Sequence, residues 1–160
     1  MKNKVAIIMG SQSDLPKMQD AIDLLKNFKI LIHVEVVSAH RTPEEMLVFS
    51  KNAKTNGFDV IIAGAGGAAH LPGMVASMTT LPVIGVPINI TAFNGLDALL
   101  SIVQMPKGVP VATMAVDNSL NAGLFAARIL GLSDLKIQDL LINYQHSMKD
   151  KVEKMNRNIS

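Results

Sequence analysis

The chain has 160 residues, 49% of them hydrophobic and 18% charged, and its formal net charge is +2. This composition fits a single domain with a full apolar core, and the lack of a long basic run gives no indication of nucleic-acid binding. There is no cysteine, which excludes disulfides, thiolate metal sites and thiol catalysis. We recognise neither a signal peptide nor an apolar stretch of about 18 residues, so we expect a cytoplasmic protein that does not enter membranes.

Strand and helix patterns alternate along the chain. Continuous apolar runs, typical of strands covered on both faces, predict strands at residues 4–9, 30–37, 59–63, 82–86 and 109–116. Helical spacing predicts a first helix that buries Met18, Ala21, Ile22, Leu25 and Phe28, and further helices over residues 43–56, 71–80, 96–103 and 118–130. This order predicts a three-layer α/β/α fold, in which a parallel sheet of about five strands is joined by right-handed crossovers.

The C-terminal segment, residues 133 to about 156, carries the longest helical pattern and would span roughly 35 Å. Its apolar residues form one stripe: Ile137, Leu140, Leu141, Tyr144, Met148, Val152 and Met155. We expect residues 1–132 to form the α/β domain and residues 133–160 to be a helical extension of it. Two placements remain open, one over the chain's own sheet and one on a neighbouring subunit. The apolar composition favours a homo-oligomer.

Residues 63–69 consist only of glycine and alanine, and His70 and Leu71 follow them. We interpret this stretch as a loop after the third strand. With almost no side chains, such a loop lets a ligand approach bare backbone, whose N–H groups bind anions. The alternative is a tight strand-to-helix turn that merely needs small residues. Seven such residues ending in an imidazole favour a ligand site.

Two other loops are predicted to leave the same sheet edge, because ligands bind beyond the carboxyl ends of parallel strands. They cover residues 10–14 and residues 38–41, and Thr-Pro-Glu-Glu at residues 42–45 has the pattern of a capping box. The three loops together supply hydroxyls, one carboxylate, one guanidinium and two imidazoles, from Ser11, Ser13, Ser38, Asp14, Arg41, His40 and His70.

These groups favour a ligand that carries both a phosphate and a diol. Arg41 suits a phosphate, and the two serines of the first loop lie near a helix N-terminus, where anions are favoured. Asp14 would repel a phosphate and needs neutral donors, which a ribose offers. The predicted ligand is therefore a nucleotide-like monophosphate. The alternatives are helix capping for Ser13 or Asp14 and a surface ion pair for Arg41.

Several known site types do not match the sequence. The first loop lacks the Gly-x-Gly-x-x-Gly pattern of dinucleotide sites, and no Walker motif occurs. His40 and His70 could bind a metal as a pair, but no third ligand is apparent, so we expect no metal. Imidazoles titrate near neutral pH, and acid–base chemistry suits His40 better.

Three long segments resemble the signature sequences of the 5-(carboxyamino)imidazole ribonucleotide mutase family, the class I phosphoribosylaminoimidazole carboxylase catalytic subunits of purine biosynthesis. They are residues 9–14, 37–43 and 63–74, and shorter matches occur at residues 101–106 and 121–123. The resemblance covers roughly residues 4 to 132. It implies a flavodoxin-like domain, a homo-octamer, and cofactor-free movement of a carboxylate from the exocyclic nitrogen to the ring carbon of the imidazole.

The resemblance also implies roles for single residues. Ser11, Ser13 and Arg41 would hold the phosphate, Asp14 the ribose, and His40 would move the proton. The remaining substrate-binding candidates include Ser38 of the His40 loop. The other candidates belong to the Gly/Ala stretch or follow it and, together with His70, would enclose the carboxylate or released carbon dioxide: Gly64, Ala65, Gly66, Gly67, Ala68 and Leu71.

The sequence departs from the family pattern at three positions. Ile90 stands where a small polar residue is usual, Ala98 where serine is common, and Asp117 where glycine is usual after strand five. We expect the first two to alter only packing, and the third to affect the local loop. Two other functions stay open: a class II carboxylase that uses carbon dioxide directly on aminoimidazole ribonucleotide, and a non-enzymatic nucleotide- or flavin-binding module. The lack of tryptophan and the single tyrosine count against a flavin.

Overall fold

The computed structural model describes residues 3–159. Met1 and Lys2 of the predicted α/β domain and Ser160 of the predicted helical extension lie outside the described residues. Five parallel strands form one sheet in the order β2-β1-β3-β4-β5. Their bounds are Lys4–Met9 (β1), Leu31–Val36 (β2), Val60–Gly66 (β3), Val83–Ile88 (β4) and Ala112–Thr113 (β5). A 3-10 turn at Gln12–Asp14 precedes the helices Leu15–Asn27 (α1), Pro43–Asn52 (α2), Leu71–Ala76 (α3), Leu96–Val103 (α4), Ser119–Gly131 (α5) and Leu135–Ile159 (α6).

The two faces of the sheet each carry an apolar core. On one face, alternate β1 residues such as Val5 and Ile7 pack with α1 and α5, and on the other Ala6 and Ile8 pack with α2, α3 and α4. Because successive strand residues point to opposite faces, a strand covered on both sides must be apolar throughout. The predicted three-layer parallel fold is therefore confirmed.

The order of the strands fixes where the loops meet. β1 pairs with β2 on one side and with β3 on the other, and all three run parallel. Met9, the last residue of β1, lies opposite Val36 of β2 and Gly64 of β3. The loops that follow these strands consequently emerge side by side at the point where the strand order reverses.

Some predicted elements differ from the observed ones. β3 continues through Gly66, so most of the predicted Gly/Ala loop is strand, and β5 is much shorter than predicted. Pro110, which lacks a backbone N–H, precedes β5, and the turn at residues 115–118 follows it. The capping box predicted at Thr42 is wrong: its hydroxyl donates instead to the Ser38 carbonyl at 3.3 Å.

Helix α6 packs on its own chain over its first half only. Ile137 is buried, and Leu140, Leu141 and Tyr144 pack against the core on the α1–α5 side, where Tyr144 meets Phe28 edge-on. Farther along, the rest of the predicted stripe is exposed: Met148, Val152 and Met155. None of the helices within residues 3–159 is both long enough and apolar enough to cross a bilayer.

Candidate functional site

A cleft of about 490 Å³ opens at the carboxyl ends of β1, β2 and β3. The three loops singled out in the sequence do meet there. Of the predicted site residues, those that line the cleft are Ser11, Ser13, Asp14, Ser38, His40, Arg41, Ala65, Gly66, Ala68, His70 and Leu71. Polar groups that are far apart in sequence therefore share one concave surface, which is the usual form of a small-molecule site.

The first loop is held by hydrogen bonds among its own side chains. The Ser11 N–H donates to the Asp14 carboxylate at 3.1 Å, and the Ser13 hydroxyl donates to Ser11 Oγ at 3.0 Å. The Ser11 side chain also accepts from the Ser13 N–H, so Ser11 and Asp14 form the capping box of the short 3-10 turn. The capping alternative is thus realised for Asp14, whose carboxylate also lies at the cleft wall.

Asp14 is the one acidic residue in the cleft lining, and only 4% of it is exposed. Burial raises the pKa of its carboxyl group above the ordinary value. The hydrogen bonds from Ser11 and Ser13 and the positive charge of Arg41 oppose that rise without cancelling it. A buried carboxylate with a raised pKa gains from any additional donor, and the hydroxyls of a sugar are such donors.

Arg41 lines the cleft, and its side chain is held by hydrogen bonds to two neighbours. Its Nε donates to Ser38 Oγ at 3.2 Å, and Nη2 donates to the carbonyl oxygen of Gly10. The Arg41 backbone N–H donates to the same Ser38 oxygen at 3.2 Å. These contacts hold the guanidinium beside the first loop, and a guanidinium carries five N–H donors, so more remain to bind an anion. No carboxylate of residues 3–159 forms the ion pair with Arg41 considered from the sequence.

His40 and His70 lie in direct contact. His40 Nε2 is 2.8 Å from His70 Nδ1, and the two rings meet edge to face with centroids 4.9 Å apart. One of these two nitrogens must carry the hydrogen, so the tautomers of the two rings depend on each other. Both side chains are exposed at the cleft. No group of three metal-binding side chains occurs in the part of the chain that the structure describes.

The Gly/Ala stretch contributes to the cleft differently from the prediction. Ala63 and Gly64 pair with both β1 and β4, and Ala65 and Gly66 pair with β4, so the interpretation of these four residues as loop is wrong. Residues 67–69 lie outside the strand, as predicted. Gly64 faces α1 instead of the cleft, because a Cβ there would lie 2.5 Å from the Met18 sulfur. Gly67 has a φ of +62° and turns the chain beside Thr91. These two glycines shape the backbone and do not line the cleft.

Three lining residues were not predicted as site residues. Gly10 and Ala39 lie inside the predicted loops, so their sequence position was a sufficient signal. Ile90 comes from the loop between β4 and α4, and we expected it to affect only packing. Ile90 packs on Gly66, which is 24 residues away in the sequence, so no local pattern indicates this contact. Ala98, also expected to affect packing, is fully buried in the core.

A family model described as AIR carboxylase matches residues 4–151. The chain belongs to the AIR carboxylase family. The match includes the three cleft loops and α6 as far as Lys151. The family resemblance seen in the sequence is therefore confirmed.

Individual proteins that are similar to this chain support the same assignment. An N5-carboxyaminoimidazole ribonucleotide mutase of Pyrococcus horikoshii is 57% identical over 152 residues, which are 95% of this chain and 86% of that protein. A chloroplastic phosphoribosylaminoimidazole carboxylase of Vigna aconitifolia is 54% identical, over 92% of this chain but 27% of its own length. The crystal structure of Treponema denticola PurE2-S38D superposes with a TM-score of 0.88 at 29% identity, covering 99% of this chain and 98% of that one.

The ionised carboxylate of Asp14 should lower the free energy of unfolding at neutral pH. Its raised pKa means that the stability it contributes is present below the ordinary carboxyl pKa and is lost as pH rises through the folded-state value. We expect Asp14→Asn, which keeps an acceptor for the Ser11 N–H, to be at least as stable as wild type at pH 7. Its advantage should shrink towards pH 4. Urea denaturation of both proteins across this range measures the difference, and an advantage that grows with acidity would contradict the assignment.

Proposed function

We propose that this chain is an N5-carboxyaminoimidazole ribonucleotide mutase. The reaction moves a carboxylate from the exocyclic nitrogen of 5-carboxyaminoimidazole ribonucleotide to the ring carbon and gives 4-carboxy-5-aminoimidazole ribonucleotide. This step belongs to de novo purine (IMP) biosynthesis. The observation that carries the proposal is the pair of contacting imidazoles, His40 and His70, in one cleft with the Ser11 and Ser13 hydroxyls and the Arg41 guanidinium. The 57% identity to a protein named as this mutase supports it.

The phosphate of the ribonucleotide binds between the first loop and Arg41. Ser11 and Ser13 supply hydroxyls near the start of α1, and Arg41 is fixed beside Gly10 by its own hydrogen bonds. Ser38 anchors the guanidinium and acts on the phosphate through it. A pre-positioned guanidinium loses less conformational freedom on binding, which strengthens its contact with phosphate.

The ribose and the carboxylate occupy the remaining cleft. The buried carboxylate of Asp14 accepts hydrogen bonds from the ribose hydroxyls, which suits its proximity to a phosphate it would otherwise repel. Ala65, Gly66, Ala68 and Leu71 provide a surface of small and apolar groups that holds the transferred carboxylate or carbon dioxide against His70. A close fit around released carbon dioxide keeps it near the ring carbon.

The proton chemistry falls to the two histidines. The exocyclic nitrogen gains a proton when its bond to the carboxylate breaks, and the ring carbon loses one after carboxylation. His40 donates the first proton and takes up the second, so no proton is consumed overall. His70 Nδ1 is in hydrogen-bond contact with His40 Nε2 and stabilises whichever tautomer His40 needs. The proposed reaction uses no cofactor and no metal.

A comparison of which substrate the protein converts decides between the proposed function and its alternatives. The purified protein should convert the carbamate, 5-carboxyaminoimidazole ribonucleotide, to the carboxylated ring product. Product formed only from aminoimidazole ribonucleotide plus carbon dioxide would instead make it a class II carboxylase, and the Vigna aconitifolia relative named as a carboxylase keeps this candidate open. Tight binding of a flavin or another nucleotide without turnover would favour the binding module. Tyr144, the single tyrosine, packs on Phe28 away from the cleft.

Arg41→Ala should mainly weaken binding of the ribonucleotide. The loss of a charge-assisted hydrogen bond to phosphate corresponds to about 1.5–3 kcal/mol, or roughly a 10- to 150-fold rise in Kd. Calorimetry with the ribonucleotide and with its dephosphorylated nucleoside measures this, and the nucleoside should bind both proteins alike. Equal affinity of wild type for the two ligands would contradict the phosphate assignment. Asp14→Asn is the companion variant and should weaken binding less, because its amide oxygen still accepts from a hydroxyl.

His40→Asn should leave the fold and nucleotide binding nearly intact while turnover falls by at least ~10²-fold, the lower end of general acid–base contributions. His40 is exposed, so its replacement removes little packing. Steady-state kinetics with a parallel binding measurement separate the two effects. His70→Asn serves as the comparison and should reduce turnover less. Wild-type turnover in folded His40→Asn would show that the proton is carried elsewhere, with His70 the next candidate.

We also propose that the chain assembles as a homo-octamer in the cytoplasm. Several large apolar side chains within residues 3–159 are exposed, and two groups of them stand out. One includes Phe93 and the α4 residues Leu96, Leu100 and Val103, and the other is the outer half of α6 with Met148, Val152, Met155 and Ile159. Exposed apolar side chains that lie together on a surface typically mark protein–protein contacts.

Changing the outer half of α6 should reduce the size of the assembly. The double substitution Val152→Lys/Met155→Lys places charge on the apolar stripe. Lys151→Ala/Lys154→Ala, which replaces two exposed lysines in the same half of α6, is the control. We expect light scattering to give an octamer for wild type and control and a smaller species for the first variant. A monomeric wild type would refute the proposed assembly, and an unchanged octamer in the lysine variant would exclude this half of α6 from the contacts.

A further inference from the structure

Ile90 is an apolar side chain in a cleft whose other large side chains are mostly polar. It belongs to the loop between β4 and α4, and 59% of it is exposed. No phenylalanine or tyrosine from residues 3–159 lines the cleft, so no such ring is available to stack on a base. An exposed branched side chain at this place gains if a flat apolar surface covers it.

Both neighbours of Ile90 are anchored. The Asn89 N–H donates to Asp117 Oδ1 at 3.0 Å, and the Thr91 hydroxyl donates to Asp97 Oδ2 at 2.7 Å. These bonds connect the loop to the turn after β5 on one side and to α4 on the other. The backbone of Ile90 is therefore held in place on both sides, although its side chain is exposed.

Asp117 adopts a backbone conformation that few residues with a side chain adopt, with φ of +57°. Three contacts keep it there. Its backbone N–H donates to the Pro87 carbonyl at 2.9 Å, Oδ1 accepts from Asn89, and Oδ2 accepts from Lys17 Nζ at 2.6 Å. Asp117 thereby ties the end of β4 to α1, the helix that follows the first cleft loop.

The side chain of Ile90 rests on bare backbone. A Cβ at Gly66 would lie 2.5 Å from Ile90 Cγ1 and 2.8 Å from the Ile88 carbonyl oxygen, so only glycine fits beneath it. Gly66 ends β3 and lines the same cleft. The direction of Ile90 is thus fixed from below by Gly66 and along the chain by its two anchored neighbours.

We propose that Ile90 is a specificity-determining residue that packs against the flat face of the ligand's base, and that Asp117 is the positioning residue that holds it there. The inference rests on the proposed function, which makes the ligand a base-bearing ribonucleotide. In the proposed function the serine hydroxyls, Asp14 and Arg41 bind the phosphate and the ribose, so another group must cover the face of the base. Ile90 supplies that apolar contact.

Binding of two probes isolates the contribution of the base. We expect wild type to bind 5-aminoimidazole ribonucleotide more tightly than ribose 5-phosphate, and Ile90→Ala to weaken only the former, by about three- to tenfold. Ile90→Val, which keeps the branch at Cβ, should retain most of the affinity. Ribose 5-phosphate binding also serves as a check that each variant is folded.

Asp117 is tested through its dependence on Ile90. Asp117→Gly suits the positive φ but removes both carboxylate contacts, so it should weaken ribonucleotide binding about as much as Ile90→Ala, with ribose 5-phosphate unaffected. Asp117→Asn keeps an acceptor for the Asn89 N–H and should restore most of the affinity. The double variant Ile90→Ala/Asp117→Gly should bind no more weakly than Ile90→Ala alone, because both changes remove the same contact.

Each other outcome has a definite meaning. A wild type that binds ribose 5-phosphate as tightly as the ribonucleotide contradicts the proposed function itself. A wild type that prefers the ribonucleotide, together with an Ile90→Ala variant that keeps this preference, overturns the inference alone. Additive losses in the double variant would overturn the role of Asp117. A changed oligomeric state in Ile90→Ala with an unchanged preference for the base would make Ile90 a subunit contact instead.

Discussion

The site depends on close packing against the glycine-rich end of β3, where α1 and the β4–α4 loop approach the strand backbone. Gly64 lets Met18 of α1 reach the sheet on one face, and Gly66 admits Ile90 at the cleft. Side chains at either position would push α1 or the β4–α4 loop away from the strand. Since α1 begins directly after the first cleft loop, such a displacement would separate the hydroxyls and Asp14 from the two histidines. Both glycines therefore contribute to the site by allowing close packing.

Much of the fold follows from the sequence because its apolar runs obey a simple rule. Strands covered on both faces are continuously apolar, so β1 and β4 could be placed closely from composition alone. The predicted β3 ended too early because glycine and alanine are depleted in strands, and only pairing with β1 and β4 makes these residues strand. Thr42 has the local pattern of a cap, but its hydroxyl bonds the preceding Ser38 carbonyl.

The site was predictable where it depended on strand ends and not where it depended on tertiary contacts. The loops carrying Asp14 and Arg41 had to meet because their strands are parallel neighbours. The sequence predicted that His40 and His70 lie at the same edge of the sheet, but not that their ring nitrogens are 2.8 Å apart. Ile90 was missed because its position depends on Asp117, 27 residues away, and on Gly66. Such contacts leave no periodic signal in the chain.

Helix α6 combines a packed half with an exposed half, and this has a consequence for how it forms. A helix of about 14 residues is only marginally stable alone in water, since its first turn is costly to nucleate. Packing of Ile137 and Tyr144 on the core provides that first turn, and the outer half adds one hydrogen bond per residue to it. Residues 146–159 are thus elongation from a tertiary nucleus. A helix break near Gln145 would uncouple them from the core without removing a single buried contact.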